Sequence, residues 1–214
     1  GSLAVGLLCA EFAAGAAGYL LAHALTLSEG PLWRRLLSSW PYALVLFVWQ
    51  DVYVTGHFGV IGSGFYHGPV QEPALFARGV ITGVPIYLAT QLAVPIASFS
   101  LFYPNALWIV LGLSIGMLVL MRGMIVPLLR TDPRARFLLL GAALATIPLG
   151  STGPQERLVF FVSFGTSAVV ALILAERYAP QNFHLPRSGA NRLFRIHAGW
   201  MLVLYVPYLF STAR

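Results

Sequence analysis

The stretch from His57 to Arg78, HFGVIGSGFYHGPVQEPALFAR, gathers side chains able to do chemistry: His57, Tyr66, His67, Glu72 and Arg78, with Gly59, Gly62 and Gly64 beside Ser63. Imidazole and carboxyl groups can hold or move protons, and a guanidinium can hold a phosphate. Glycines let a backbone approach a ligand closely. Tyr66 and His67 can stack on, or hydrogen-bond to, a sugar or a lipid headgroup. The glycine spacing is no dinucleotide fingerprint, since no strand precedes it and no soluble helix follows. A solvated loop with turn glycines is the competing reading.

Four further charged residues belong with this stretch. Glu11 stands inside an apolar run, where an ionisable group must face a cavity or a partner. Arg157 or Arg78 is the expected partner, either at a binding site or in a structural ion pair within a helical bundle. Arg157 follows Gly153-Pro154-Gln155-Glu156 at the expected start of a helix, where free amides and a guanidinium together suit a phosphate. An interfacial arginine bonding lipid headgroups is the alternative. Asp51 and Glu156 fall at the same end of their segments as Glu11 and Glu72. His23 and His197 lack the companion ligands that haem or a metal would need, so they read as helix-terminal caps or packing partners. No metal and no cofactor are expected. The single cysteine, Cys9, excludes an intramolecular disulfide.

Nearly everything else is hydrocarbon. The chain is 58% hydrophobic and 9% charged, with a mean hydropathy of +0.78, whereas a soluble domain carries roughly 25% charged residues. An all-α integral membrane protein follows, one transmembrane helical domain over residues 1–214. The net charge of +6 comes from 13 arginines and no lysine. They cluster near the ends of apolar runs, which points to membrane topology and not to nucleic acid.

The elements that must position the polar residues can be taken in order. Leu3 to Leu27 is long enough to span about 30 Å of hydrocarbon. That depth would put Glu11 roughly 12 Å below the surface at 1.5 Å per residue. Leu36 to Thr55 makes a second span, with Trp40 at one end and Trp49 and Tyr53 toward the other as interface anchors. Gly79 to Ser98 is apolar but broken by Pro85 and Pro95. Ala106 to Leu129 is a clear span, and Arg130 to Arg136 a basic turn. Phe137 to Leu149 must borrow flanking residues to cross, Leu158 to Ala175 returns, and Leu193 to Phe210 is the last span.

Short basic loops stay in the cytoplasm. Arg34 and Arg35 share a side with Arg130, Arg134 and Arg136 only if the segment at about residues 76–98 re-enters the membrane or lies at its interface. Arg122, Arg177, Arg187, Arg192 and Arg195 then join them, leaving Arg78, Arg157 and Arg214 outside. The result is six transmembrane helices, with both termini and the 57–105 segment on the non-cytoplasmic side. A first span that begins outside without a leader implies a membrane region upstream of Gly1, so the chain reads as a fragment of a longer one.

The order of features resembles the C-terminal half of large bacterial multi-span proteins related to the GT-C glycosyltransferases. The motifs are Cys9-Ala10-Glu11-Phe12 with Tyr19-Leu20, Gly30-Pro31 with Trp33-Arg34-Arg35, and Pro41-Tyr42-Ala43. Gly62-Ser63-Gly64-Phe65-Tyr66, Gln91-Leu92 with Pro95, Asp132-Pro133-Arg134-Ala135-Arg136-Phe137, Glu156-Arg157-Leu158, Ile196-His197 and Tyr205-Val206-Pro207 continue the series. The resemblance implies a bacterial inner-membrane enzyme that moves a sugar from a polyprenyl-phosphate-linked donor at the outer face. Its catalytic acid would lie in a first outer loop with no counterpart here. The resemblance makes Arg157 the best match for a donor-phosphate contact and Arg78 the next; the topology, independently of it, collects Glu11, Asp51, His57, Tyr66, His67, Glu72 and Glu156 as candidates around an outer cavity. Membrane lipids are the other expected partners. A non-catalytic membrane scaffold is the alternative function, predicted to pair its outer charges and to lack a cavity. A transporter, which expects an internal repeat and broken helices, is the third.

Overall fold

The apolar run from Leu3 to Leu27 is not one continuous helix but two, joined by a bend and a 3-10 turn. In the computed structural model, α1 covers Ser2–Cys9, a 3-10 turn covers Glu11–Ala14 and α2 covers Gly15–Thr26. Ala10 between them is extended, at φ −163° and ψ 134°. The turn brings Gly6 against Ala13, close enough that a Cβ on Gly6 would lie 3.3 Å from that of Ala13. Small residues on both arms permit this approach, and their apolar character hides the turn from a hydropathy reading. Glu11 therefore stands exposed at a bend, not deep within a span. The structure describes residues 2–58, 66–92, 97–102, 104–155 and 158–178, together with 195 and 199.

Gly30, at φ 98°, turns the chain into α3, Leu32–Leu37. Arg35 then reaches back to cap α2: its Nε donates to the Ala24 carbonyl at 2.6 Å and its Nη2 donates to that of Leu25. A cation at a helix C-terminus satisfies carbonyls left without intrahelical partners and complements the helix dipole. Next, α4 spans Trp40–Thr55. α5 then runs Pro73–Leu92 straight through Pro85, so the expected break at that proline is absent; Pro95 lies outside the described residues. The short α6, Phe99–Phe102, precedes α7, Leu107–Thr131. Asp132 accepts a hydrogen bond from the Arg134 amide at 2.8 Å. It thereby caps α8, Pro133–Ala145, with proline in the first helical turn. A 3-10 turn at Pro148–Ser151 and α9, Phe160–Tyr178, follow. The expected last span, Leu193 to Phe210, lies outside the described residues.

Every regular element among the described residues is helical. Two of them, Pro73–Leu92 and Leu107–Thr131, are long and apolar enough to cross a membrane, with hydropathies of 1.2 and 2.2. They run parallel. Near their starts the Arg78 guanidinium lies 5.6 Å from the Trp108 ring. Further along, Ile86 shares a buried cluster with Val110 and Ala97. At the far end Leu92 packs in a core with Met121, Met124 and Leu128. After Leu92 the chain must return to the Arg78 end before α7 begins.

The tightest packing joins α2, α8 and α9. A Cβ on Gly18 would fall 2.7 Å from the Ala145 nitrogen. The His23 ring meets Phe137 edge-on at 6.2 Å, so α2 and α8 are antiparallel. Tyr19 lies in a notch formed by Gly141 and Gly165. Its hydroxyl donates to the Phe161 carbonyl at 2.6 Å and accepts from the Gly165 amide at 2.8 Å. A regular helix pairs those two backbone groups directly, so a phenol from α2 bridges a rung of the α9 ladder. These contacts place Arg34, Arg35, Arg130, Arg134 and Arg136 at one end of the bundle. Glu11, Tyr66, Arg78 and Ser151 are at the other.

The notch gives a direct test. A methyl at position 165 would meet the Tyr19 hydroxyl at 2.6 Å as well as the Leu138 carbonyl. Gly165→Ala should therefore destabilise the fold by about 1–3 kcal/mol through overpacking. Tyr19→Phe should cost less, about 1 kcal/mol, since the freed backbone groups can pair with each other. Thermal unfolding in detergent measures both, and equal stability of Gly165→Ala and wild type would contradict the packing described.

Candidate functional site

At the end of the bundle opposite the clustered arginines, a cavity of about 920 Å³ opens between α1, α4, the Pro148–Ser151 turn and the chain around Tyr66. Its walls are chiefly aliphatic and aromatic, including Leu7, Leu46, Phe58, Phe76 and Leu149. The polar groups are few: Glu11, Gln50, Tyr53, Tyr66, Ser151 and Thr152. Large apolar walls with a few convergent polar groups are the usual build of a small-molecule site.

The bend at Ala10 delivers Glu11, and α4 delivers Tyr53. The Tyr53 hydroxyl donates to Glu11 Oε1, although Tyr53 is itself buried. Around Tyr53 stand the rings of Trp49 at 5.0 Å, Phe58 at 6.2 Å and Tyr66 at 6.3 Å. Tyr66 completes the polar line by bonding to the Ser151 side chain. Burial raises its phenol pKa, the Glu11 charge adds to the rise, and the Ser151 bond opposes it. The phenol thus stays neutral and able to donate.

The turn that carries Ser151 is held by glycines facing one another. A side chain on Gly79 would run into the Gly150 carbonyl, and one on Gly150 into Val80. This close approach ties α5 to the turn. The His67 amide then donates to the Ser151 carbonyl at 2.8 Å, fixing the strand of loop that presents Tyr66.

Of the residues that the sequence singles out, Glu11 and Tyr66 line the cavity. His67 and Glu72 do not: the His67 Nδ1 lies 2.6 Å from the Glu72 Oε2, pairing the two with each other. Arg78 sits over Trp108, away from the cavity wall. Asp51 is exposed on α4 and faces away, while its neighbours Gln50 and Val52 line the cavity. His57 has a backbone role, since its φ of 52° is left-handed and it lets the Phe58 amide close back on the Tyr53 carbonyl at 3.1 Å. That is the helix-ending conformation usually given to glycine. Glu156 and Arg157 lie outside the described residues, as do Gly59, Gly62, Ser63, Gly64 and His197; Leu158, the residue after Arg157, lines the cavity. His23 meets Phe137 edge-on and lies 3.3 Å from the Ser28 hydroxyl, as a packing partner near a helix end would.

Tyr53 and Ser151 carry the polar side of the site, and neither stands out in the sequence. Tyr53 reads there as an interface anchor and Ser151 as the start of a polar turn. Cys9, free and exposed, also lines the cavity. Comparison of the chain with protein-family models, with characterised proteins and with solved structures finds no match.

If His57 acts through its backbone, glycine should serve better there. His57→Gly is expected to stabilise the fold by about 1 kcal/mol, because a side chain in the left-handed region costs roughly that much. A lowered melting temperature would instead assign the imidazole a contact of its own.

Proposed function

We propose that this chain is the membrane region of an enzyme acting on lipid-linked substrates at the non-cytoplasmic face of a bacterial inner membrane. The reaction is transfer of a sugar from a polyprenyl-phosphate donor, with Arg157 and Arg78 as contacts for the donor phosphate. The observation that carries the reading is the apolar cavity with an acid at its rim, at the end of the bundle away from the arginine cluster. Apolar walls suit a lipid chain, and the few polar groups suit its head.

In the topology proposed, Glu11–Thr26, α4, α7, α8, α9 and the stretch from Leu193 to Phe210 cross the membrane. α5 enters from the outer side and the chain returns to that side. The parallel course of α5 and α7 supports this arrangement. So does the gathering of Arg34, Arg35, Arg130, Arg134 and Arg136 at one end, because basic loops are retained in the cytoplasm.

A non-catalytic scaffold would have paired outer charges and no hollow; His67 and Glu72 are paired, but the cavity favours a ligand. The bend at Ala10 favours a transporter, in which broken helices hold a substrate. Such sites lie near the membrane midplane, whereas this bend lies at the end of the bundle.

Cys9 makes the proposal testable, being the single cysteine of the chain and a lining residue. A membrane-impermeant maleimide applied to the outside of intact cells should label it; labelling only after the cytoplasm is exposed would overturn the orientation. In detergent, a long-chain amphiphile should protect Cys9, and Ile147→Trp, at a lining position 39% exposed, should abolish that protection by filling the cavity. Arg157→Ala should remove binding of polyprenyl phosphate without changing the melting temperature. Unchanged binding would end the role given to Arg157.

A further inference from the structure

The polar end of the cavity has a one-sided chemistry. Its acid, Glu11, stands among the aromatic rings of Trp49, Tyr53, Phe58 and Tyr66, and no arginine, lysine or histidine is among the described residues that line the cavity. Among the described residues, the arginine at this end, Arg78, is engaged with Trp108. Among the described residues the side-chain donor to the Oε1 of Glu11 is the Tyr53 hydroxyl, a neutral group that brings no positive charge to the carboxylate.

Three kinds of lipid head can be compared at this place. A phosphate would face the carboxylate of Glu11 and be repelled by it. A hydroxyl could donate one hydrogen bond but would not offset the charge. A cationic nitrogen would do so, and aromatic faces attract cations within about 6 Å of the ring centre.

We infer that the cavity formed by Glu11, Trp49, Tyr53, Phe58 and Tyr66 selects an amphiphile whose head carries a cationic nitrogen. This inference rests on the reading of the cavity as a lipid site. It assigns the Glu11 cavity to the second lipid of the proposed transfer. Charge complementarity sets the choice, and the aliphatic walls accept the chain whatever its head.

The experiment is protection of Cys9 from alkylation, with the full chain in lipid nanodiscs and three probes of one chain length: decyltrimethylammonium, decanol and decyl phosphate. The ammonium should protect at about tenfold lower concentration than decanol, from the combined ion-pair and cation-π contributions, and decyl phosphate should protect least. Glu11→Gln should reduce the ammonium's advantage over decanol to about threefold, the share that the aromatic rings supply. If that variant fails to fold, raising the salt concentration with wild-type protein should shrink the ammonium advantage, since salt screens an accessible ion pair. Decyl phosphate equal to or better than the ammonium would overturn the inference, as would an advantage untouched by both Glu11→Gln and salt. Protection by decanol alongside either result would leave the lipid-site reading standing. No protection by any probe would remove both.

Discussion

The bridge from the Tyr19 hydroxyl to a rung of α9 is the constraint on which the rest of the bundle depends. A phenol can reach the backbone of a neighbouring helix only if nothing stands between them, and Gly141 and Gly165 provide that clearance. Apolar surface alone would let α2, α8 and α9 slide or rotate against each other. Hydrogen bonds at 2.6 Å and 2.8 Å to defined backbone atoms set both depth and rotation. In an apolar medium the alternative, an unpaired hydroxyl, is costly, so the bridge specifies the register as well as stabilising it.

From that register the cavity follows. With α2 held against α8 and α9, the bend at Ala10 and the Pro148–Ser151 turn come to the same end of the bundle. The Gly79 and Gly150 contact then draws α5 to that turn, and the His67 amide holds the loop that carries Tyr66. The Gly79 and Gly150 link is a close approach of backbone to backbone, which only residues without large side chains allow. On the α4 side Tyr53 donates to Glu11, with the rings of Trp49 and Tyr66 5.0 Å and 6.3 Å from its own, and the hollow lies between these groups and the turn. An exposed acid on a bend, next to a phenol, is thereby set at the rim of an apolar hollow, the arrangement from which the proposed preference for a cationic head arises.

The separation of charge along the bundle has the same origin. Arg35 is drawn to the end of α2 by carbonyls without partners, and Asp132 caps α8 beside Arg134 and Arg136. Both helix ends lie away from the cavity, so the cations that terminate helices are also kept far from Glu11. Arg78, on the cavity side, is taken up by an aromatic face.

Composition by itself determined that the chain is helical and suited to a bilayer, because hydrocarbon content over long runs leaves backbone polar groups no partners except within helices. It also grouped Arg34 and Arg35 with Arg130, Arg134 and Arg136, since charge at the ends of apolar runs is visible in one dimension. The bend at Ala10 was not legible. Alanine and glycine are as apolar in a turn as in a span, and only contact between Gly6 and Ala13 tells the two apart. For the same reason Glu11 read as a buried charge, while Tyr53 read as an anchor and Ser151 as part of a turn. His67, Glu72 and Arg78 have the types that chemistry needs, yet their partners are Glu72, His67 and Trp108, pairings that depend on where a loop folds and where two parallel helices begin. Tertiary structure alone decided which acid faces the cavity, because the spacing of residues along the chain carries no information about which helix ends meet.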